Sequence, residues 1–525
     1  MSSRSLQPQT RRQMLRALGA WSAAGLATPV LLAACGGAAA TVSATASSAA
    51  PTSAAAVTAS QAATSTVLAS TTVASASQAA TSTLATTSAA AATTAAATSA
   101  ASSAAATVAA SASAPAGAGV SLTFLHWWTG SLGADYDVYM KWAFDQYKQQ
   151  TGVTVTSIPS TPVTDTNQKF VTGVAGGQPP DAAFTSIVFG RDMYDTGLLA
   201  NLDAMIAQAP DVQDDKFFAA SKQFRQTAGH TFGIPVMGPE SLCLGINQDL
   251  FQTAGFDPKG ADIKNWDDLV HVGQKLTKSG SDGSVTVAGV GTPAGMDIAT
   301  FTAWVETTGH SLYDAEQNTA YYNAPETVAA LQFLADLAGK SNVGAPLAAK
   351  NRPTGETALA AGTAAMEFDE TAMGSFPTIV KATALKWWMI PYPQAPTGKG
   401  PATATWINFT VIPYNGKHNA DAFQFLRFFC GLPSAIKKNE ILKADSPVLA
   451  LYDTPQWQAL VKTLAPQAQI PLIAKLPGVY PYHHNADQSK QIGPLLTAAY
   501  TGKTDVKTAL DEAQRLADTI FAAKK

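Results

Sequence analysis

The stretch FGIPVMGPESLCLGIN, residues 232–247, is apolar at almost every position and is interrupted once, at Gly238-Pro239-Glu240. It reads as strand, loop, strand. Glu240 is the lone charge in the run. A carboxylate between apolar strands is either a ligand-binding group or one half of a satisfied ion pair.

Upstream, VSLTFLHW (120–127) alternates Val120, Leu122 and Phe124 on one face, which predicts a strand. In DYDVYMKWAFDQYKQQTG (135–152), Tyr136, Tyr139, Met140, Ala143, Phe144 and Tyr147 recur at helical spacing, and Gly152 ends the helix. VTVTSI (153–158) is a second strand and TNQKFVTGVAGG (166–177) a second helix. PDAAFTSI (180–187) is a third strand, and residues 190–206 are helical around a break at Gly197. This alternation predicts an α/β fold with a largely parallel sheet. In such sheets ligands sit beyond the strand carboxyl ends. Trp127 and Trp128 lie at the end of strand one, and Thr185 and Ser186 near the end of strand three.

Downstream, Asn265 caps a helix that Gly280 stops, and SVTVAGVGT (284–292) is a strand. APETVAALQFLADLAGKS (324–341) and NADAFQFLRFFCGLPS (419–434) are amphipathic helices, the latter ending at Gly431 with Pro433 beyond. The closing helix carries an apolar stripe of Val506, Ala509, Leu510, Ala513, Leu516, Ala517 and Ile520.

The first part of the 525-residue chain has a different character. Residues 1–34 combine the twin arginine Arg11-Arg12 with an apolar run from Ala17 to Ala34 that Gly19, Gly25 and Pro29 interrupt. This predicts a Tat-like signal peptide rather than a membrane span. LAAC (32–35) resembles the lipobox of bacterial lipoproteins, which implies lipidation of Cys35. Residues 36–119 hold no charged side chain and consist mostly of Ala, Ser and Thr. Such a segment buries too little apolar surface to offset chain entropy, so 35–119 is expected to be a disordered tether with a reach of about 50 Å. The formal charge of −3 becomes −7 when the four arginines of 1–34 are removed. A mildly acidic body argues against a nucleic-acid partner. Cys243 and Cys430 lie in apolar runs and read as buried free thiols.

Taken in order, GQPPDAAF (177–184), DTGLLANLD (195–203), Ile234-Pro235, Asn247-Gln248-Asp249-Leu250-Phe251, Asn265-Trp266-Asp267-Asp268-Leu269, ALAAGTAAMEF (358–368), PYPQAPTGKG (391–400) and GKTDVKTALDEAQRLAD (502–518) resemble the extracellular solute-binding proteins of ABC importers. The resemblance is to the sugar-binding branch that includes maltose-binding protein. It implies two α/β lobes joined by a hinge, with an interlobe ligand cleft, in the periplasmic-binding-protein-like fold. The crossings between lobes are expected near Pro235–Ser241, Pro391–Pro396 and Pro413–Asn419. The first lobe would comprise 120–237 plus 394–418, and the second 238–393 plus 419–525.

A cleft for sugars needs aromatic plates for their CH faces and polar groups for their hydroxyls. Among ten tryptophans, at least one of Trp127 and Trp128 is expected to line the cleft, with Trp128 preferred. Trp406 matches a site position of the family. Trp304 faces the cleft or packs in a helix. Ser186 is a candidate from its strand end. Glu240 matches an acidic sugar ligand of the maltose-binding members. Asp369 and Glu370 follow the Gly-x-Ala-Ala-Met-like strand, where the family places a binding loop. Ala372 stands where some members carry tryptophan, which argues against maltodextrin itself. Tyr480 and Tyr482 offer a cleft wall. No metal site is expected, because adjacent His483 and His484 point apart.

The resemblance implies no cofactor and no enzymatic activity. It implies a carbohydrate ligand, permease subunits with an ATPase as partners, and a monomer lipid-anchored at the outer face of the cell membrane. The rival readings are a glycosidase built on Glu240 with Asp369 or Glu370, a binder of polyamine, iron or peptide, and a stalked adhesin.

Overall fold

The computed structural model describes residues 119–522, apart from 315–318, 345–355, 376 and 479–483. The expected signal peptide, tether and Cys35 lie outside these residues. The chain opens β1 (Ser121–His126), α1 (Ala134–Thr151), β2 (Thr154–Pro159), α2 (Val163–Ala175), β3 (Ala182–Thr185) and α3 (Ile187–Asp195). β1 runs parallel to both β2 and β3. Asp181 fixes the β1–β3 pairing: its Oδ2 accepts from the Thr123 amide and hydroxyl, each at 2.8 Å.

The sheet continues through β4 (Gly233–Asn247), followed by α4 (Trp266–Leu276) and α5 (Ile298–Glu306). Then come β5 (Met366–Glu370), β6 (Trp387–Ile390) and β7 (Thr405–Val411). The strand order is β5-β4-β7-β3-β1-β2, with β6 also paired to β4. Only the β1–β2 and β1–β3 pairs are parallel; β7 is antiparallel to β3 and β4, and β5 and β6 are antiparallel to β4. The sheet is therefore mixed, not largely parallel, because the strands that connect the lobes run back through it.

Residues 232–247 depart from the strand–loop–strand expectation. β4 is one unbroken strand of 15 residues. Its first half pairs with β7 and its second with β5 and β6. Gly238-Pro239 is a cis peptide, and the register with β7 shifts around Asn408. The irregularity expected as a loop is absorbed as a bulge.

The described core residues form four groups, and the two largest mark the lobes. Leu122, Phe124, Trp128, Tyr139, Ile234 and Val236 belong to the first lobe. Leu244, Ile246, Trp266, Phe301, Trp304, Tyr392 and Leu510 belong to the second. The closing helix (Val506–Ala522) buries Val506, Ala509, Leu510, Ala513, Ala517 and Ile520 of the expected stripe, with Leu516 partly buried against the same core.

Two lobe boundaries differ from expectation. Helices formed by Asn419–Cys430 and Leu432–Leu442 pack into the first lobe through Phe423, Phe425, Leu426, Phe429, Ala435 and Leu442. The first of these helices ends at Gly431, as expected, before Pro433. Pro433 stands in the first turn of the second helix, where its missing amide costs nothing. One crossing lies between Ala404, in the second core, and Ile407, which packs with Leu125, Ala183 and Phe409 of the first lobe's sheet. Another lies between Val448 and Leu451, which packs with Cys243 and Trp387. Likewise α4 ends at Leu276, short of Gly280, because residues 278–279 turn into a hairpin with 285–287. Cys243 and Cys430 are buried free thiols.

Candidate functional site

The middle of β4 is where the chain passes from one lobe to the other, and Glu240 lies there opposite Trp406 of β7. Small polar side chains fix the passage. The Ser241 and Thr405 hydroxyls are 2.7 Å apart, and the Ser241 amide donates to Thr371 Oγ1 at 3.0 Å. The Thr371 hydroxyl donates to the Pro239 carbonyl, and the Thr403 hydroxyl to the Leu242 carbonyl. Each is a buried donor with a partner, so the strands are tied side to side where their peptide ladder is irregular.

Glu240 is 3 % exposed. Burial holds its carboxyl well above the usual range, and the nearby charges of Glu370 and Asp445 push the same way. The Trp406 side chain hydrogen-bonds the carboxylate, and Lys438 favours its charged form. Asn408 Nδ2 donates to Glu240 Oε2 at 3.3 Å. Lys438 is itself fully buried. Its ammonium donates to the Val236 carbonyl at 2.8 Å and stands 5.6 Å from the centre of the Trp128 ring. Desolvation lowers its pKa to about 8, against Asp445, Cys430 and Glu240, which raise it. Asp445 is raised to about 6 by burial, with Lys438 opposing. Burial pushes the Tyr136 phenol up to about 12, with Glu240, Asp445 and Glu370 adding to it. Glu240, Asn408 and Trp406 thus meet where the lobes join, within reach of the charges of Glu370, Asp445 and Lys438.

Of the expected site residues, Glu240 and Trp406 lie opposite each other on β4 and β7, and the charge of Glu370 reaches Glu240. Asp369 is buried and accepts from the Glu370 amide at 2.8 Å, while its charge reaches Cys243 and Tyr392 of the second lobe. Ser186 is half-buried at the end of β3. Tyr480 and Tyr482 lie outside the described residues.

Two tryptophan expectations are corrected. Trp128, the preferred cleft residue of its pair, is 2 % exposed and packs among Tyr136, Tyr139, Phe184 and Phe429. It continues the even phase of Leu122 and Phe124 into the first core. Trp127 is the half-buried member, stacked on Phe184 at 3.8 Å between centroids. Trp304 is fully buried, stacked on Tyr392 at 4.6 Å, so the packing alternative holds for it.

Lys438, Asp445, Asn408 and Tyr136 were not singled out from sequence. Lys438 carried a readable signal. It occupies the buried stripe of its helix with Ser434, Ala435, Asn439 and Leu442, an unusual place for lysine. Among the described residues, no group of three His, Cys, Asp or Glu side chains is arranged to hold a metal ion. No described helix is long and apolar enough to cross a membrane.

The sequence profile of the bacterial extracellular solute-binding proteins matches residues 129–430. An arabinooligosaccharide-binding protein of Bacillus subtilis is 26 % identical over 273 residues, half of this chain and 59 % of its own. A "probable amino-acid ABC transporter periplasmic-binding protein" of Sinorhizobium fredii is 31 % identical over 121 residues, 22 % of this chain and 26 % of its own. The chain thus spans less than two thirds of either curated relative. Among solved structures, the cyclic alpha-maltosyl-1,6-maltose binding protein from Arthrobacter globiformis superposes with a TM-score of 0.63 at 20 % identity, covering 77 % of this chain and 99 % of that one. This likeness shows the two-lobed fold.

Proposed function

The chain belongs to the bacterial extracellular solute-binding protein family, and we propose that it captures a sugar or oligosaccharide between its lobes and delivers it to an ABC importer by hinge closure. The observation that carries this reading is the pairing of Glu240 with Trp406 at the crossing of β4 and β7. An indole offers a flat apolar face for a sugar ring, and a buried carboxylate accepts from its hydroxyls. β4 and β7 each pass from one core to the other, so changes in their twist move the lobes against each other. Relatives named as binders of arabinooligosaccharide and of cyclic maltosyl-maltose support the ligand class.

The rest of the reading comes from the sequence. A Tat-like signal is removed, Cys35 carries lipid, and the tether 35–119 holds the body at the outer face of the cell membrane. The body acts as a monomer with permease subunits and an ATPase. Catalysis forms no part of the reading, so aryl-glycosides should bind without turnover. Release of the aryl alcohol would favour the glycosidase alternative, whose acids would be Glu240 with Glu370 or Asp369.

A thermal-shift screen of the purified protein against mono- and oligosaccharides tests the ligand class, with spermidine and ferric iron as controls. A ligand at a hundred times its Kd adds roughly 2.7 kcal/mol to the folded state. A sugar-dependent rise that Glu240→Gln and Trp406→Ala abolish is the expected result. A rise with spermidine or iron and with no sugar would overturn it.

A further inference from the structure

We propose that Asp192 and His484 form a latch between the lobes, closed when His484 is protonated, which tightens the hold on a captured ligand below neutral pH. Asp192 lies on α3 of the first lobe, next to Met193, which is buried with Leu125 and Phe170. His484 belongs to the second lobe. It precedes the helix Asn485–Gln491, its ring meets the Phe521 ring at 5.2 Å, and Gln488 of that helix accepts from the Tyr322 hydroxyl. Phe521 and Tyr322 are part of the second core. His484 Nδ1 and Asp192 Oδ1 stand 3.8 Å apart. The contact therefore joins the lobes through side chains, in addition to the strands β4 and β7 that join them through the chain.

Three features suit the pair to this role. The His484 and Asp192 side chains are 10 % and 19 % exposed, so little water screens their attraction. Their separation exceeds a hydrogen bond by about 1 Å. A small further closure brings a protonated ring onto the carboxylate, and opening withdraws it. His484 also holds a left-handed backbone, φ 50°, at the start of its helix, and its side chain does not cap that helix. Such a conformation costs a non-glycine residue about 1 kcal/mol or more and persists where the surroundings fix it. Other charges close by are matched among themselves or carried in opposite signs. Arg191 and Asp195, on the helix of Asp192, pair with each other at 3.5 Å. On the closing helix, Asp518, the acid nearest Phe521 in sequence, accepts from Gln514 at 2.8 Å. The helix Gly493–Tyr500 carries no charged side chain, and the helix that His484 precedes carries Asp487 and Lys490. An imidazole changes charge between about pH 5 and 8, and an ordinary carboxylate stays charged there. The attraction is therefore present at the acid end of that range and lost as pH rises.

Asp445 also titrates near pH 6, so a slope with pH does not by itself identify the latch; the coupling between its two residues does. The test is a double-mutant cycle on the full chain with Asp192→Asn, His484→Asn and both together, at about pH 5.5 and about pH 8. Asparagine is chosen at 484 because it accepts a left-handed backbone, and His484→Gln serves where His484→Asn does not fold. Two quantities are read: the small-angle scattering radius of the ligand-free protein, and the Kd of the sugar giving the largest thermal shift. The expected result at the lower pH is a larger radius and several-fold weaker binding in each single variant, with the double variant no worse than either. At the higher pH the four proteins should be alike. Additive effects at both pH values, coupling that persists at the higher pH, or single variants that match the wild type at the lower pH overturn the latch. The scattering arm needs no ligand. A lack of binding by any sugar therefore contradicts the carbohydrate reading, while the radius still decides the latch.

Discussion

Glu240 and Asp445 are acids kept inside the protein at a cost, and that cost depends on pH. The Asp445 carboxyl is raised from 3.8 to about 6 in the folded chain, so between those values the folded state holds a proton that the unfolded state has released. Stability contributed by this group is complete below pH 3.8 and is lost as pH rises through about 6. Glu240 shifts in the same direction, with burial as the leading cause, and adds to the same slope. Thermal melts across this range should therefore show a component that falls with rising pH, flattened in Asp445→Asn and in Glu240→Gln. A slope unchanged in both variants would mean that neither group holds its proton. Lys438 acts in the opposite sense higher up: its pKa falls from 10.5 to about 8, so the penalty for burying its charge is relieved as pH rises above about 8.

The elements around the site divide into those whose residues announced them and those whose packing had to be seen. The capping of α4 was legible: the Asn265 side chain accepts from the Asp268 amide at 2.9 Å, and the Asp268 carboxylate accepts in turn from the Asn265 amide at 3.2 Å. Asn265→Ala should lower stability by about 1 kcal/mol and leave sugar affinity unchanged, as a denaturant titration and a binding isotherm will show. The contact of α3 with β7 was not legible. Gly190 opens the stretch read as helical in the sequence, with nothing local to mark a close contact, yet a Cβ there would stand 2.0 Å from the Phe409 ring. Gly190→Ala should cost about 1–3 kcal/mol by overpacking, read as a drop in the urea midpoint. Likewise Gly238-Pro239 marks a break in any local reading, but the shifted register with β7 lets one strand continue through it. Local composition cannot register that, because the neighbour that accommodates the bulge is β7, more than 160 residues away in sequence.

For the molecule as a whole, the order of strands and helices and the final amphipathic helix could be read from periodicity, because each depends on residues a few positions apart. The lobe boundaries could not. Whether the helix Asn419–Cys430 joins the first or second lobe depends on which core receives Phe423 and Phe429, and the apolar stripe alone is the same for both. Of the candidate site, the β-strand members Glu240 and Trp406 could be picked out from sequence, and Lys438 and Asp445, which act on Glu240 from a distant segment, could not. Two lobes joined by β4 and β7 should also close on ligand. Small-angle scattering is expected to show a smaller radius of gyration when the best-binding sugar is added. An unchanged radius at saturation would indicate binding without hinge motion.

The most direct check is a calorimetric titration of the sugar giving the largest thermal shift into the wild-type protein and into Trp406→Ala. Saturable binding by the wild type, weakened at least tenfold by loss of the indole, is the expected result. Equal affinity in the two proteins would place the sugar elsewhere and contradict a site built on Glu240 and Trp406.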